Sequence, residues 1–149
     1  MPAPYPMIAC FIEEGPASDL VLAEAAGIRA MSPGKLHVVH VAARPYMFMA
    51  GFYGAAPPPL GELREEAERW LRERVRGMDD VIPVVLEGYA PRAACEYAAA
   101  AGVDLIVAAA HRGLVERAML GGFAAYVAYH APCPVLLVHP PEADEPDEG

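Results

Sequence analysis

Five short runs of apolar, often β-branched residues alternate along the chain with four helical stretches, and this alternation limits the fold more than any other feature. The runs are Met7 to Ile12, Lys35 to Ala42, Val81 to Leu86, Asp104 to Ala110 and Val135 to His139. Continuous apolar strands separated by helices predict a parallel sheet with helices on both faces. Pro83 has no N–H to give to a ladder, so the third strand belongs at a sheet edge. With right-handed crossovers, the expected architecture is α/β: a doubly wound five-stranded parallel sheet in the order 3-2-1-4-5. That order reverses between strands one and four. A ligand is therefore expected at their carboxyl ends, near Glu13 and His111 to Gly113.

The helices carry their own punctuation. Ser18 ahead of Asp19 reads as a helix cap, with the helix running to Met31 and stopped by Ser32-Pro33-Gly34. The second helix shows one apolar face: Leu60, Leu63, Ala67, Trp70, Leu71, Val75 and Met78 recur at three- and four-residue steps. Asp79-Asp80 is expected to close it, and Glu65–Arg69 and Glu68–Arg72 to pair along its outer face. Pro91 opens a third helix that Gly102 ends. A fourth helical segment, broken or bent near Gly121-Gly122, runs to about His130.

Composition excludes several chemistries. The net charge of -9 argues against a nucleic-acid partner, although five acids fall in the last eight residues. One domain over residues 1–139 and a solvated acidic tail over 140–149 are expected. The 149 residues contain no Thr, Asn or Gln, only Ser18 and Ser32 as hydroxyl nucleophiles, and Lys35 as the single Lys. A phosphate loop ending in Lys-Ser/Thr is therefore absent. No apolar run is long enough for a membrane span, and the start lacks the pattern of a secretory signal. Cys10, Cys95 and Cys133, odd in number and in apolar settings, read as reduced, buried thiols of a cytoplasmic protein.

Three segments carry a family resemblance: Tyr129-His130-Ala-Pro-Cys-Pro-Val-Leu-Leu-Val138 into the last strand, Leu36-His37-Val38-Val39-His40-Val41 as the second, and Ala101-Gly102-Val103-Asp104-Leu105-Ile106-Val107 entering the fourth. On these the chain resembles a universal stress protein from Ile8 to Val138. The resemblance implies the fold derived above and a homodimer paired through the last strand, Val135 to Val138. An apolar edge strand left open is an aggregation hazard, which gives that pairing a physical reason.

Some members of that family bind adenine nucleotides through Gly-x-x-Gly, nine residues, then Gly-Ser/Thr. Glycines let the backbone approach phosphates, and a helix start supplies N–H donors. By resemblance, Phe11, Ile12 and Glu13 end the first strand, with Glu13 in the place of a ribose-binding Asp. Val41 holds the adenine-contacting place at the end of the second strand. Ala109 stands where the first glycine belongs, and the second has become Arg112 or slipped to Gly113 beside His111. Gly121 is kept, Gly122 replaces the hydroxyl residue, and Phe123 follows. Each lost charge-assisted contact costs about 1.5–3 kcal/mol. The expectation is a degenerate pocket with weak or no binding of ATP or AMP. Arg112, Arg117 and His111 are cations that could compensate.

Other constellations carry less. His37 and His40 are three apart on a strand, so they face opposite sides and cannot share a metal; no metal site is expected. A phosphoacceptor reading of Glu13-Glu14 fails, because it needs an Asp after the third strand and a Lys after the fifth, and the single lysine is Lys35. The segment Tyr46 to Tyr53 gathers Met47, Phe48, Met49 and Phe52, costly side chains to expose. They either fold over the sheet or contact a protein partner. The functional expectation is a homodimeric binding and regulatory module without catalytic residues. Two alternatives stand beside it: an ATP- or AMP-binding protein with slow ATPase activity, and a protein-interaction module using the Met/aromatic segment.

Overall fold

The structure is a computed structural model that describes residues 3–42, 60–110 and 122–140. Its elements are β1 (Met7–Phe11), α1 (Ser18–Met31), β2 (Lys35–Ala42), α2 (Leu60–Arg74), β3 (Val81–Glu87), α3 (Ala90–Ala101), β4 (Leu105–Ala109), α4 (Phe123–His130) and β5 (Val135–Val138). The sheet is five-stranded in the order β3-β2-β1-β4-β5, and every pairing is parallel. The expected winding is the observed one. Pro83 lies exposed in edge strand β3, opposite Val38, where a missing N–H disturbs one ladder at most.

Strand alternation splits the core into two layers. Ile8 and Cys10 of β1 join Val21, Ala25 and Leu71 under α1 and α2, whereas Ala9 and Phe11 join Ala94, Ala98 and Val127 under α3 and α4. Ala94 and Ala98, four apart and essentially unexposed, set α3 close on the sheet. Gly102 ends α3 in the left-handed conformation (φ 67°), as its position in the sequence predicts.

Three local expectations need correction. Ser18 is not the cap of α1: Ala17 is, without a side-chain hydrogen bond, and the buried Ser18 hydroxyl donates back to the Gly15 carbonyl at 3.2 Å. Helix α2 stops at Arg74 rather than at Asp79, because the chain reverses through Gly77 at φ 83°. Val75 and Met78 still pack on the core from that turn. Along α2, Glu68 pairs with Arg64 at 3.1 Å rather than with Arg72.

The amino edge of the sheet is knitted by backbone contacts. The Met7 N–H donates to the Asp104 carboxylate at 2.9 Å while the Asp104 N–H donates to the Met7 carbonyl at 2.8 Å. Among the described residues, no helix is long and apolar enough to cross a membrane.

Candidate functional site

Where the strand order reverses, the helices that follow β1 and β4 pack on opposite faces of the sheet, and a crevice lies at the carboxyl ends of these strands. Each wall comes from a different element. Phe11, Ile12 and Glu13 continue out of β1, Val39 and Val41 come from β2, and Ala108 and Ala109 from β4. The first turns of the helices close it: Ala17, Ser18 and Val21 from α1, Ala90 from α3 and Phe123 from α4. The cavity has a volume of about 60 Å³.

Its chemistry is apolar. Phe11 and Phe123 meet with ring centroids 6.0 Å apart at 52°, forming an aromatic wall. Glu13 and Ser18 are the polar side chains of the lining. Because Ser18 spends its proton on the Gly15 carbonyl, its oxygen offers lone pairs alone to anything in the crevice. Such walls suit a planar, apolar ring better than a polyanion.

Six of the residues singled out by sequence meet here: Phe11, Ile12, Glu13, Val41, Ala109 and Phe123. Gly122 stands next to the site as the residue before α4, with no side-chain cap bond. His111, Arg112, Gly113 and Gly121 lie outside the described residues, as does the Tyr46 to Tyr53 segment. Sequence reasoning missed Ala17, Ser18, Val21, Val39, Ala90 and Ala108. Ser18 alone carried a signal, as a polar residue just after the first strand.

The two strand histidines face opposite layers, as their spacing requires. The His37 Nδ1 hydrogen-bonds the Tyr97 hydroxyl of α3. Burial, then the neighbouring Lys35, hold His37 below its ordinary pKa, and burial raises the Tyr97 phenol, so the pair is neutral. His40 instead packs on Trp70 of α2, ring centroids 4.6 Å apart, and its Nδ1–H donates to the Ile12 carbonyl at 2.9 Å. Of the three thiols only Cys10 is fully buried, and burial pushes it up to about 12. Cys95 and Cys133 are half-buried in the layer under α3 and α4, which corrects the expectation of three buried thiols.

Comparison with known proteins places this arrangement. The model of the universal stress protein family matches residues 4–139. Among proteins of curated function, none matches the chain in sequence. Among solved structures, the chain is similar to universal stress protein UspA from Lactobacillus plantarum (TM-score 0.69, 20% identity, covering 90% of this chain and 97% of that one). It is similar to a family protein from Arabidopsis thaliana with AMP bound (TM-score 0.64, 15% identity, 95% and 96% covered). A universal stress protein from Archaeoglobus fulgidus in complex with dAMP also matches (TM-score 0.62, 17% identity, 89% and 97% covered).

Proposed function

The chain belongs to the universal stress protein family, and from that premise we propose that it is a homodimeric binding and regulatory module, not an enzyme, with a degenerate adenine-nucleotide pocket. Relatives of the same fold hold AMP and dAMP, which supports an adenine-type ligand in the crevice. Triphosphate is held weakly or not at all. The observation that carries this reading is Ala109: its methyl group lies in the crevice wall at the end of β4, where close backbone approach to phosphate needs a glycine. Gly122 adds to it, since α4 begins without a side-chain hydroxyl to hold an anion. Losing even two charge-assisted contacts costs roughly 3–6 kcal/mol, a factor of a hundred or more in affinity.

The dimer reading rests on β5. The Ile106 and Ala110 N–H groups donate to the carbonyls of Pro134 and Val138, so the alternate residues Val135 and Leu137 turn their backbone groups outward. A second copy can pair there, as it cannot along β3 with its Pro83. Three free thiols favour a reducing compartment, the cytoplasm.

Equilibrium titration with ATP, ADP and AMP in Mg²⁺ tests the pocket. The expected result is that ATP binds no more tightly than AMP. An ATP Kd of about 1 µM or tighter would overturn the reading.

A further inference from the structure

We infer that His40 is a positioning residue for the ligand: its bond holds the Ile12 carbonyl out of line with the β1–β2 ladder and so leaves the Val41 peptide to hydrogen-bond a planar heterocycle in the crevice. The inference rests on the reading of this crevice as a pocket for adenine-type ligands.

The argument begins with the ladder. In a parallel pair, alternate residues of one strand direct both N–H and C=O to the same neighbour. Phe11 lies opposite Val39, and the Ile12 N–H donates to the Val39 carbonyl at 2.9 Å, so Val39 faces β1 and Val41 faces the same way. The next rung would run from the Val41 N–H to the Ile12 carbonyl. Among the described residues that rung is not made. The Ile12 carbonyl accepts instead from the His40 Nδ1–H at 2.9 Å. A carbonyl oxygen only accepts, so the proton of this contact sits on Nδ1.

His40 can reach because it points out of the sheet on the α2 side, where its ring rests against Trp70 at 48° between planes. Trp70 in turn lies under the Arg74 guanidinium, 5.5 Å from its ring centroid. The imidazole is thus fixed from the helix layer and holds the departing end of β1. On the other side of that bond, Val41 lines the crevice with a donor and an acceptor side by side on one strand edge. This pair matches a ring that carries an acceptor next to a donor, as the amino edge of adenine does, and mismatches the reversed edge of hypoxanthine.

Two measurements test this on the full-length protein. In His40→Phe the aromatic contact with Trp70 survives and the donor is lost, so the Ile12 carbonyl turns back to Val41. Amide hydrogen exchange followed by NMR should then show the Val41 N–H slowed by about tenfold or more relative to the parent protein. Adenosine affinity should fall about three- to tenfold, the worth of one neutral hydrogen bond, while inosine affinity stays put. His40→Gln, which keeps an N–H donor, should restore both values. Unchanged Val41 exchange in His40→Phe, or an unchanged preference for adenosine over inosine, overturns the inference. If the parent protein binds no adenosine at all, the pocket reading falls, and the exchange measurement alone still decides what His40 does.

Discussion

Two glycines seven residues apart should respond to the same added methyl group with opposite signs. Gly34 precedes β2, and a Cβ built there lies 2.7 Å from the Pro6 carbonyl oxygen and 2.9 Å from that of Tyr5. Both are backbone atoms, and the Pro6 oxygen already accepts the Lys35 N–H at 2.8 Å in the first rung of the sheet. Nothing there can swing aside as a flexible side chain would. Overpacking of about 1–3 kcal/mol, with partial loss of a hydrogen bond of about 1 kcal/mol, makes Gly34→Ala destabilising by roughly 2–4 kcal/mol. For a chain of this size that lowers Tm by roughly 5–15 °C. Gly27, exposed within α1, meets nothing within 4 Å of its built Cβ. There Ala restricts the unfolded chain and suits the helix, a gain of about 0.5–1 kcal/mol and a Tm raised by roughly 1–4 °C. Thermal melts and urea titrations of the two variants read both effects. Shifts in the same direction, or a Gly34→Ala variant melting like the parent, would refute the steric reading of the β1–β2 start.

Acid should weaken the fold through His37. Its folded pKa lies below the ordinary value of 6.5, so the unfolded chain takes up the proton first and stability falls as pH drops through about 6.5 and below. The urea midpoint should decline more steeply between pH 7 and 5 in the parent protein than in His37→Gln; equal slopes would remove His37 from the account. Thiol labelling of the native protein should modify Cys95 and Cys133, while Cys10, with its thiol at about 12 and no exposure, reacts only on unfolding. Rapid native labelling at three sites would contradict the buried layer. Val135→Pro removes one outward N–H at the first residue of β5, where the sheet tolerates proline, and should shift the protein from dimer to monomer in light scattering with its fold intact. A dimer that survives would place its interface elsewhere.

The architecture was legible because each strand is a run of apolar residues too short for a helix, and because Pro83 marked the edge. Where reading failed, local chemistry was overruled by geometry. Ser18 has the composition of a cap, yet the turn at Gly15 places it one position inside the helix, with its hydroxyl committed backward. The apolar period through Val75 and Met78 is real, but a tight turn buries those side chains as well as a further helical turn would. The site was half legible. Glu13, Val41 and Ala109 could be placed by resemblance, since each occupies a defined strand end. Ala17, Ala90 and Ala108 could not, because a methyl group announces nothing about its neighbours. They line the crevice by virtue of where three elements start or stop.

The two edges of the sheet are built on different terms. At the amino edge, Met7 and Asp104 exchange hydrogen bonds in both directions, Lys35 bonds Pro6, and Arg29 reaches the Asp80 carbonyl at 2.9 Å. Polar groups there bond within the chain, apart from the buried Ser32 hydroxyl, which has no partner among the described residues. At the carboxyl edge, α1, α3 and α4 all begin without a side-chain cap, at Ala17, Tyr89 and Gly122, and the β1–β2 ladder breaks off at Ile12. Each missing cap forgoes about 0.5–2 kcal/mol of helix stability. Among the described residues, the carboxyl edge commits fewer of its backbone donors than the amino edge, which suits it to an incoming ring or a neighbouring peptide. On the function proposed above, folding and binding draw on different hydrogen bonds. On that reading, Ala109 stands in the place of a phosphate-contacting glycine without loss of the sheet that carries it.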